Sequence, residues 1–388
     1  MPSASLPKTT KVWTVEGTNG FDSLKFNKEA PIPAFSDNEV LIKFHAASLN
    51  YRDLIIPKGE YPLPNTPGVV PGSDGAGEVL AVGSKVTRFQ PGAKVLTLFN
   101  QRHISGSLDP STATSGLGGV LDGTLRQYGV FDENGLVSMP SNLNYLEAST
   151  LTCAGVTAWN ALYGLKNLLP GQTVLTQGTG GVSIFAVQFA KAAGATVIAT
   201  TSSAQKAATL KKLGADHVIN YKDEPNWGEK AKSLSRGGEG VDHILEVGGP
   251  STMKQSLEAV KIDGVISIIG FLGGGSKEKE PSFLDALKKV CTVRGLVVGS
   301  RGMFEEMNRA IEGNHIKPVV DEKVFTLEEL REAYQYMWDQ KHFGLGRALS
   351  ASSRHFSIEQ IEIELLQVGT PFGLDPLMLF VRSGNFSR

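Results

Sequence analysis

Thr173-Val-Leu-Thr-Gln-Gly-Thr-Gly-Gly-Val-Ser183, continued by Ile184–Gly194 and by Thr196-Val-Ile-Ala-Thr-Thr-Ser-Ser203, reads as strand, glycine turn, helix and strand. Val174 and Leu175 make a short apolar run, and Gly178 permits a tight turn. Gly180 and Gly181 carry no side chain that would hold a pyrophosphate away from the backbone. Val182, Phe185, Ala186, Phe189, Ala190 and Ala193 then recur at helical spacing. The turn therefore stands at a helix N-terminus, where the dipole and unpaired N–H groups favour an anion. A lone glycine pattern is weak and also fits an ordinary βα turn. The strand before it and the helix after it make this one a dinucleotide site.

An NAD-preferring site of this kind places Asp or Glu about 20 residues after the glycines, where it accepts from the ribose 2′-OH. Here Thr200, Thr201, Ser202 and Ser203 stand at that point, with Lys206 just beyond. Hydroxyls and a cation suit a 2′-phosphate that an acid would repel, so NADPH is expected ahead of NADH. Lys206 also reads as a solvated lysine on a helix face, and the missing acid is what raises its standing.

A chain of 388 residues, 41% hydrophobic and 20% charged, is long enough for two domains with separate cores. Its net charge of -1 gives no field for nucleic acid or an anionic membrane surface. No apolar run approaches the roughly 18–20 residues that a spanning helix needs. Met1–Lys8 lacks the apolar segment of a secretory signal, and a cytoplasmic location is expected. Cys153 and Cys291 are the only cysteines, which excludes a disulfide framework and a four-cysteine zinc lobe. The 44 glycines imply many tight turns, as in an α/β chain rather than a helical bundle.

Short apolar runs between Gly/Pro turns make residues 12–150 mostly β, with strands expected at Val40–Ser48, Gly75–Gly83 and Gln90–Leu96. Asn100–Gly123 is rich in Gly, Ser and Thr without periodicity, and is expected to form a surface lobe or lid. Leu146–Leu165 reads as a helix, with Pro170-Gly171 punctuating before the glycine strand. Apolar runs at Val218-Ile219, Val241–Val247, Val265–Ile269 and Thr292–Val298 come next, with helical segments between most of them. With the two strands around the glycine turn they bring the count to that of a doubly wound parallel Rossmann sheet. Thr326-Leu-Glu-Glu329 is a capping box that opens a helix over 326–338. That helix is placed back on the first domain, so the expected division is 1–145, 146–315, 316–350 and an atypical tail over 351–388.

These elements, with Ser48-Leu-Asn-Tyr-Arg-Asp53, Gly72-Ser-Asp-Gly-Ala-Gly77, Cys153-Ala-Gly-Val-Thr-Ala158, Ile219-Asn-Tyr221 and Lys341-His-Phe-Gly344, carry a resemblance. Over about residues 12–345 the chain resembles the medium-chain dehydrogenase/reductase superfamily, in particular its zinc-free quinone oxidoreductase-like branch. The resemblance implies a GroES-like β-rich domain beside the Rossmann domain and a cofactor cleft between them. It places Ser203, Lys206 and Tyr221 around the adenosine 2′-phosphate. On the nicotinamide side it implies roles for Thr157, Gly248, Gly270, Phe271 and Gly299, where glycine also serves as plain loop punctuation.

Zinc-bearing relatives supply a Cys, a Gly-His-Glu histidine and a later Cys at positions that here read Asn50, Ser73-Asp74 and Cys153. One soft ligand of three survives, too few for a catalytic zinc, so no metal is expected. Cys153 then reads as a small buried hydrophobe beside the cofactor. Without a metal, hydrogen bonds must stabilise the charge that develops on a substrate oxygen, which suits hydride addition to an enone or a quinone. The resemblance nominates Asn50 and Tyr61 as pocket donors, while Ile55 replaces a second pocket Tyr of some relatives. Asn50 also fits a turn-forming residue, Tyr61 a packed loop aromatic, and Asp53 a cap or a partner of Arg52.

Other readings are an alcohol or carbonyl oxidoreductase with an unusual metal site of Asp53, Asp74 and Cys153, and a cofactor-binding protein with little turnover. A homodimer through the edge strand Thr292–Val298 is implied by similar dimers. Leu345 stands where the family has a lysine, which puts the strand that closes the β domain in question. Beyond it, Ile358–Val368 has the spacing of an amphipathic helix, which Pro371 and Pro376 prevent from continuing.

Overall fold

In the computed structural model, which describes residues 6–271, 281–342 and 348–350, the chain builds two main sheets that meet through one shared core. The first part contributes β1 (Thr9–Val15), β2 (Leu24–Pro31), β3 (Glu39–Ser48), the short helix α1 (Tyr51–Ile55), β4 (Asp74–Val82), β5 (Lys94–Thr97), α2 (Pro110–Ala113), β6 (Tyr128–Asp132) and β7 (Leu136–Ser138). Then come α3 (Tyr145–Ala148) and α4 (Val156–Tyr163). The nucleotide part runs β8 (Thr173–Gln177), α5 (Gly181–Ala192), β9 (Thr196–Thr201), α6 (Ala204–Lys212), β10 (His217–Asn220), α7 (Trp227–Leu234), β11 (Val241–Glu246), α8 (Met253–Ala259), β12 (Val260–Ile268), α9 (Phe283–Lys289), β13 (Thr292–Gly295) and α10 (Arg301–Gly313). The chain returns through β14 (Phe325–Thr326), α11 (Leu330–Trp338) and β15 (Ala348–Ser350).

The nucleotide sheet has the order β10-β9-β8-β11-β12-β13 and is parallel throughout. That is the doubly wound order whose reversal falls beside its first strand, so the crevice opens at the carboxyl ends of β8 and β11. All residues of β8 are buried, as a strand covered by helices on both faces must be. Over it α5 lays Ile184, Phe185, Ala186, Phe189 and Ala190, and Trp159 of α4 meets the Phe189 ring edge-on at 5.4 Å. The same apolar cluster takes in Leu96, Leu98 and Phe99 of the β-rich part. The two sheets are therefore welded by burial rather than joined by a linker.

In the β-rich part a sheet of order β14-β15-β3-β4-β5-β7, with β6 also on β3, is antiparallel wherever β3 pairs. The backbone of β15 pairs with Ser48–Ala46 of β3, so the closing strand that Leu345 put in question is present. Leu345 itself, the end of the Lys341–Gly344 motif and the Ile358–Val368 segment lie outside the described residues. Thr326 and Glu329 do form the capping box, and Tyr334 of the helix it opens is fully buried against the β-rich part.

Two expectations change. The single helix expected over Leu146–Leu165 is instead α3, a π-type segment over Leu151–Gly155, and α4. Contacts from the β-rich part break its ladder, because Cys153 N–H donates to Asp74 Oδ2 at 3.0 Å and the Thr152 hydroxyl to Thr97 O at 2.8 Å. The lid expected over Asn100–Gly123 is exposed only in its middle. Asn100, His103, Ser115 and Leu117 are buried, because a Cβ on Gly118 would stand 2.6 Å from the Gly72 backbone, which wedges this segment into the sheet.

Candidate active site and nucleotide cradle

At the junction of the two parts, the first turn of α1 faces the start of β4 and the π-type segment. Asn50 N donates to Asp53 Oδ2 at 2.9 Å while Asp53 N donates back to Asn50 O at 2.9 Å, which fixes the start of α1. Arg52 Nη2 lies 3.6 Å from Asp53 Oδ1, so Asp53 both caps and pairs, and it is buried behind the site rather than facing a substrate. Burial pushes the Asp53 carboxyl up, and the Arg52 guanidinium opposes that shift. Arg52 Nη2 also donates to Leu117 O, and the guanidinium lies 4.5 Å over the Phe99 ring and 5.9 Å from that of Tyr61.

Asp74 is the hub. Its Oδ1 accepts from Asn50 Nδ2 at 3.0 Å and from Ser73 Oγ at 2.5 Å, and its Oδ2 accepts from Cys153 N. Burial pushes this carboxyl up to about 7, although the Ser73 and Cys153 hydrogen bonds hold it down. The Cys153 thiol is held well above its ordinary range by burial and then by the Asp74 charge, and Thr157 of α4 hydrogen-bonds it. Burial raises the Tyr61 phenol as well, against the Arg52 guanidinium that it faces. Asn50, Tyr61 and Thr157 are thus brought into one cluster, whereas Ile55 is buried in α1. The sequence reading missed Arg52 as the cation of that cluster. Its only signal was the adjacent Arg52-Asp53 pair at the start of a short helix, which reads as a local ion pair.

A zinc ion does not fit here. Asn50 and Ser73 present neutral amide and hydroxyl groups, which leaves Cys153 as one soft ligand of the three that a catalytic zinc needs. Among the described residues no group of three His, Cys, Asp or Glu side chains could hold a metal, so Asp53, Asp74 and Cys153 do not form the unusual site considered above.

At the other end of the crevice, Gly178 adopts φ +74°, and a Cβ at Gly178 or Gly180 would meet no atom within 4 Å. The turn therefore leaves an open cradle at the N-terminus of α5, beside Gly181 and Val182, which fits a pyrophosphate. Ser183 Oγ donates to Gln177 O at 2.6 Å and fastens the turn to its strand. Thr200 and Thr201 are buried within β9, whereas Ser202 and Ser203, just beyond its end, are half-buried. Ser203 caps α6 through Lys206 N, and Tyr221 is exposed just after β10.

Glycines further along have a different cause. A Cβ at Gly248 would strike Thr252, one at Gly270 would lie 2.9 Å from Val247 O, and one at Gly299 would lie 2.8 Å from Val156. Packing of the chain on itself therefore accounts for the missing side chains at all three. Beside Gly270, Phe271 is exposed and meets the Tyr51 ring at 6.4 Å across the crevice.

A glycine-turn nucleotide sheet welded to a β-rich domain, with a cluster of buried polar groups at the junction, defines a two-domain dinucleotide-dependent oxidoreductase. The family model of the alcohol dehydrogenase GroES-like domain matches residues 36–141, and that of zinc-binding dehydrogenases matches 181–313. A zinc-type alcohol dehydrogenase-like protein of Schizosaccharomyces pombe is 46% identical over 330 residues, which cover 84% of this chain and 95% of that protein. The crystal structure of a putative alcohol dehydrogenase from Sinorhizobium meliloti superposes with a TM-score of 0.81 at 38% identity, covering 89% of this chain and 100% of the other. A 2-methylene-furan-3-one reductase of Solanum lycopersicum is 28% identical over 344 residues, 86% of this chain and 78% of its own. The chain belongs to the medium-chain dehydrogenase/reductase superfamily.

Proposed function

We propose that the protein is an NADPH-dependent reductase of the zinc-free branch, transferring hydride to a conjugated C=C bond or a quinone. The observation that carries this reading is the Asn50–Asp74–Cys153 cluster, which fills the metal position with hydrogen-bonded neutral groups around one buried carboxyl. A dinucleotide, when bound, supplies the hydride. The chain's own part is to stabilise the oxygen on which charge then grows, with the Asn50 amide and the neutral Tyr61 phenol as donors. Arg52 steadies the phenol and keeps positive charge nearby without taking part in bond making. Ser202, Ser203 and Lys206 favour the 2′-phosphate, and a relative named for reduction of a methylene-furanone supports a conjugated carbonyl acceptor. A homodimer across the free edge of β13 belongs to the same proposal.

The test is the oxidation of NADPH and, separately, NADH by chelator-treated protein of measured metal content, against quinones, α,β-unsaturated ketones, simple aldehydes and alcohols. Turnover of NADPH with conjugated acceptors in metal-free protein is the expected result. Activity confined to alcohols or aldehydes and lost with metal removal would sink the reading. Cofactor binding without turnover of any acceptor would favour a binding protein.

A further inference from the structure

Asp74 is fully buried, receives no hydrogen bond from a cationic side chain among the described residues, and accepts from three neutral donors on separate chain segments. A carboxylate can only accept, so an amide beside it must turn its nitrogen and not its oxygen toward it. Of the two N–H bonds on Asn50 Nδ2, one is thereby spent on Asp74 Oδ1, and the other is left in a fixed direction. We propose that Asp74 is a positioning residue for the reduction, aiming the remaining Asn50 N–H at the substrate oxygen. The inference rests on the reading above for its substrate, but the coupling between Asp74 and Asn50 does not.

The groups that face Asp74 are few. Ser73 precedes it, Asn50, Arg52 and Asp53 come from the start of α1, and Cys153 comes from the π-type segment. Asp53 raises the Asp74 carboxyl and Arg52 lowers it, and burial outweighs both. When the carboxyl takes up a proton, one of its oxygens becomes a donor, and it then matches the amide oxygen of Asn50 as well as the nitrogen. The direction of the Asn50 amide is therefore set only while Asp74 is ionised. The Asp74 loop and the π-type segment are tied by the same carboxyl, so the junction of the two domains and the aim of the donor share one anchor.

The experiment uses the full-length chain labelled with 15N-asparagine, with the Asn50 side-chain amide resonance assigned by its loss in N50A. In the wild type that resonance shifts with a midpoint near 7, and in D74N the shift is absent. In parallel, kcat for NADPH and a conjugated ketone rises through the same midpoint, and in D74N it is about tenfold lower and flat with pH while the NADPH Kd stays within about twofold. S73A, which removes one donor and leaves Asn50 in place, moves both midpoints to higher pH. An Asn50 resonance that titrates identically in D74N overturns the coupling, and a kcat profile unchanged in D74N overturns the positioning role. Absence of turnover in the wild type would sink the reductase reading, while the resonance still decides the coupling.

Discussion

Gln177 Nε2 donates to Glu246 Oε2 at 2.7 Å, joining the ends of β8 and β11 at the mouth of the nucleotide crevice. Glu246 is fully buried, and its other donors are Gly248 N and Gly249 N, both at 2.9 Å, with the hydroxyls of Thr252 and Ser256. Gln177 Oε1 in turn accepts from Val247 N and Gly248 N. A carboxylate held by neutral donors thus nails the loop after β11 to the strand that carries the glycine turn. Buried charge is tolerated here because hydrogen bonds surround it.

Glu246→Ala is expected to leave those donors without a partner, and a buried network broken on one side costs about 3–5 kcal/mol. Urea denaturation should show the midpoint falling at unchanged slope. Under partly stabilising conditions, NADPH should bind at least about tenfold more weakly, about 1.4 kcal/mol, because loop and turn no longer hold one geometry. An unchanged midpoint would mean that the network does not hold the loop.

Cofactor choice gives a second test. Ser203 and Lys206 stand at the start of α6, and no acid occupies the end of β9. Replacing Lys206 by Glu should weaken NADPH about tenfold or more and spare NADH, since a charged hydrogen bond is exchanged for repulsion. Fluorescence titration of both cofactors against wild type and variant measures the ratio. A ratio that stays constant would remove Lys206 from the 2′-phosphate site.

How much was legible in the chain differs between its two ends. The nucleotide sheet was readable because its signals are local: Gly178, Gly180 and Gly181 between an apolar strand and a periodic helix specify the turn by themselves. The polar junction was only half readable. Asn50 and Tyr61 stood out through resemblance, yet Asp74 binds Cys153, 79 positions away, and nothing local in either residue announces that bond. The same contact bends the helix expected over Leu146–Leu165, and a helix broken from outside cannot be seen in its own periodicity. Likewise, the Asn100–Gly123 segment shows no apolar periodicity, yet Leu117 is buried in the β-rich core and Gly118 packs against the Gly72 backbone, contacts that its own spacing does not announce.

Asp74 also leaves a mark on stability. Its folded-state value near 7 lies above the ordinary 3.8, so protonation favours the folded chain. The contribution is fully present below about pH 4 and is lost as pH rises through about 7, to a limit of about 4 kcal/mol. In D74N the group cannot titrate. Its melting temperature should therefore gain on that of the wild type between pH 5 and pH 8, as read by calorimetry across that range. Parallel curves for the two proteins would mean that Asp74 ionises with an ordinary carboxylate affinity.

The last expectation concerns the free edge of the nucleotide sheet. β13 ends the strand order and pairs only with β12, leaving its other side unpaired within the described residues. An open edge of this kind invites a further strand. Just before it in the chain, α9, which packs on β12 and α8, points Phe283 wholly into solvent and leaves Leu287 70% exposed, with Leu284, Val290 and Val297 adding apolar surface. On the proposed homodimer, these exposed apolar side chains are expected to be covered by the second copy. A second copy related by a twofold axis would pair β13 with β13 and cover both helices, since a self-complementary patch closes on itself. Sedimentation of the wild type should then give twice the 41.5 kDa of one chain, and the double replacement Phe283→Asp with Leu287→Asp should return it to a single chain. The cofactor cradle lies at β8, inside the strand order and away from this edge, so NADPH affinity should survive that change within about twofold. A wild-type monomer at micromolar concentration, or a dimer indifferent to both aspartates, would move the interface elsewhere.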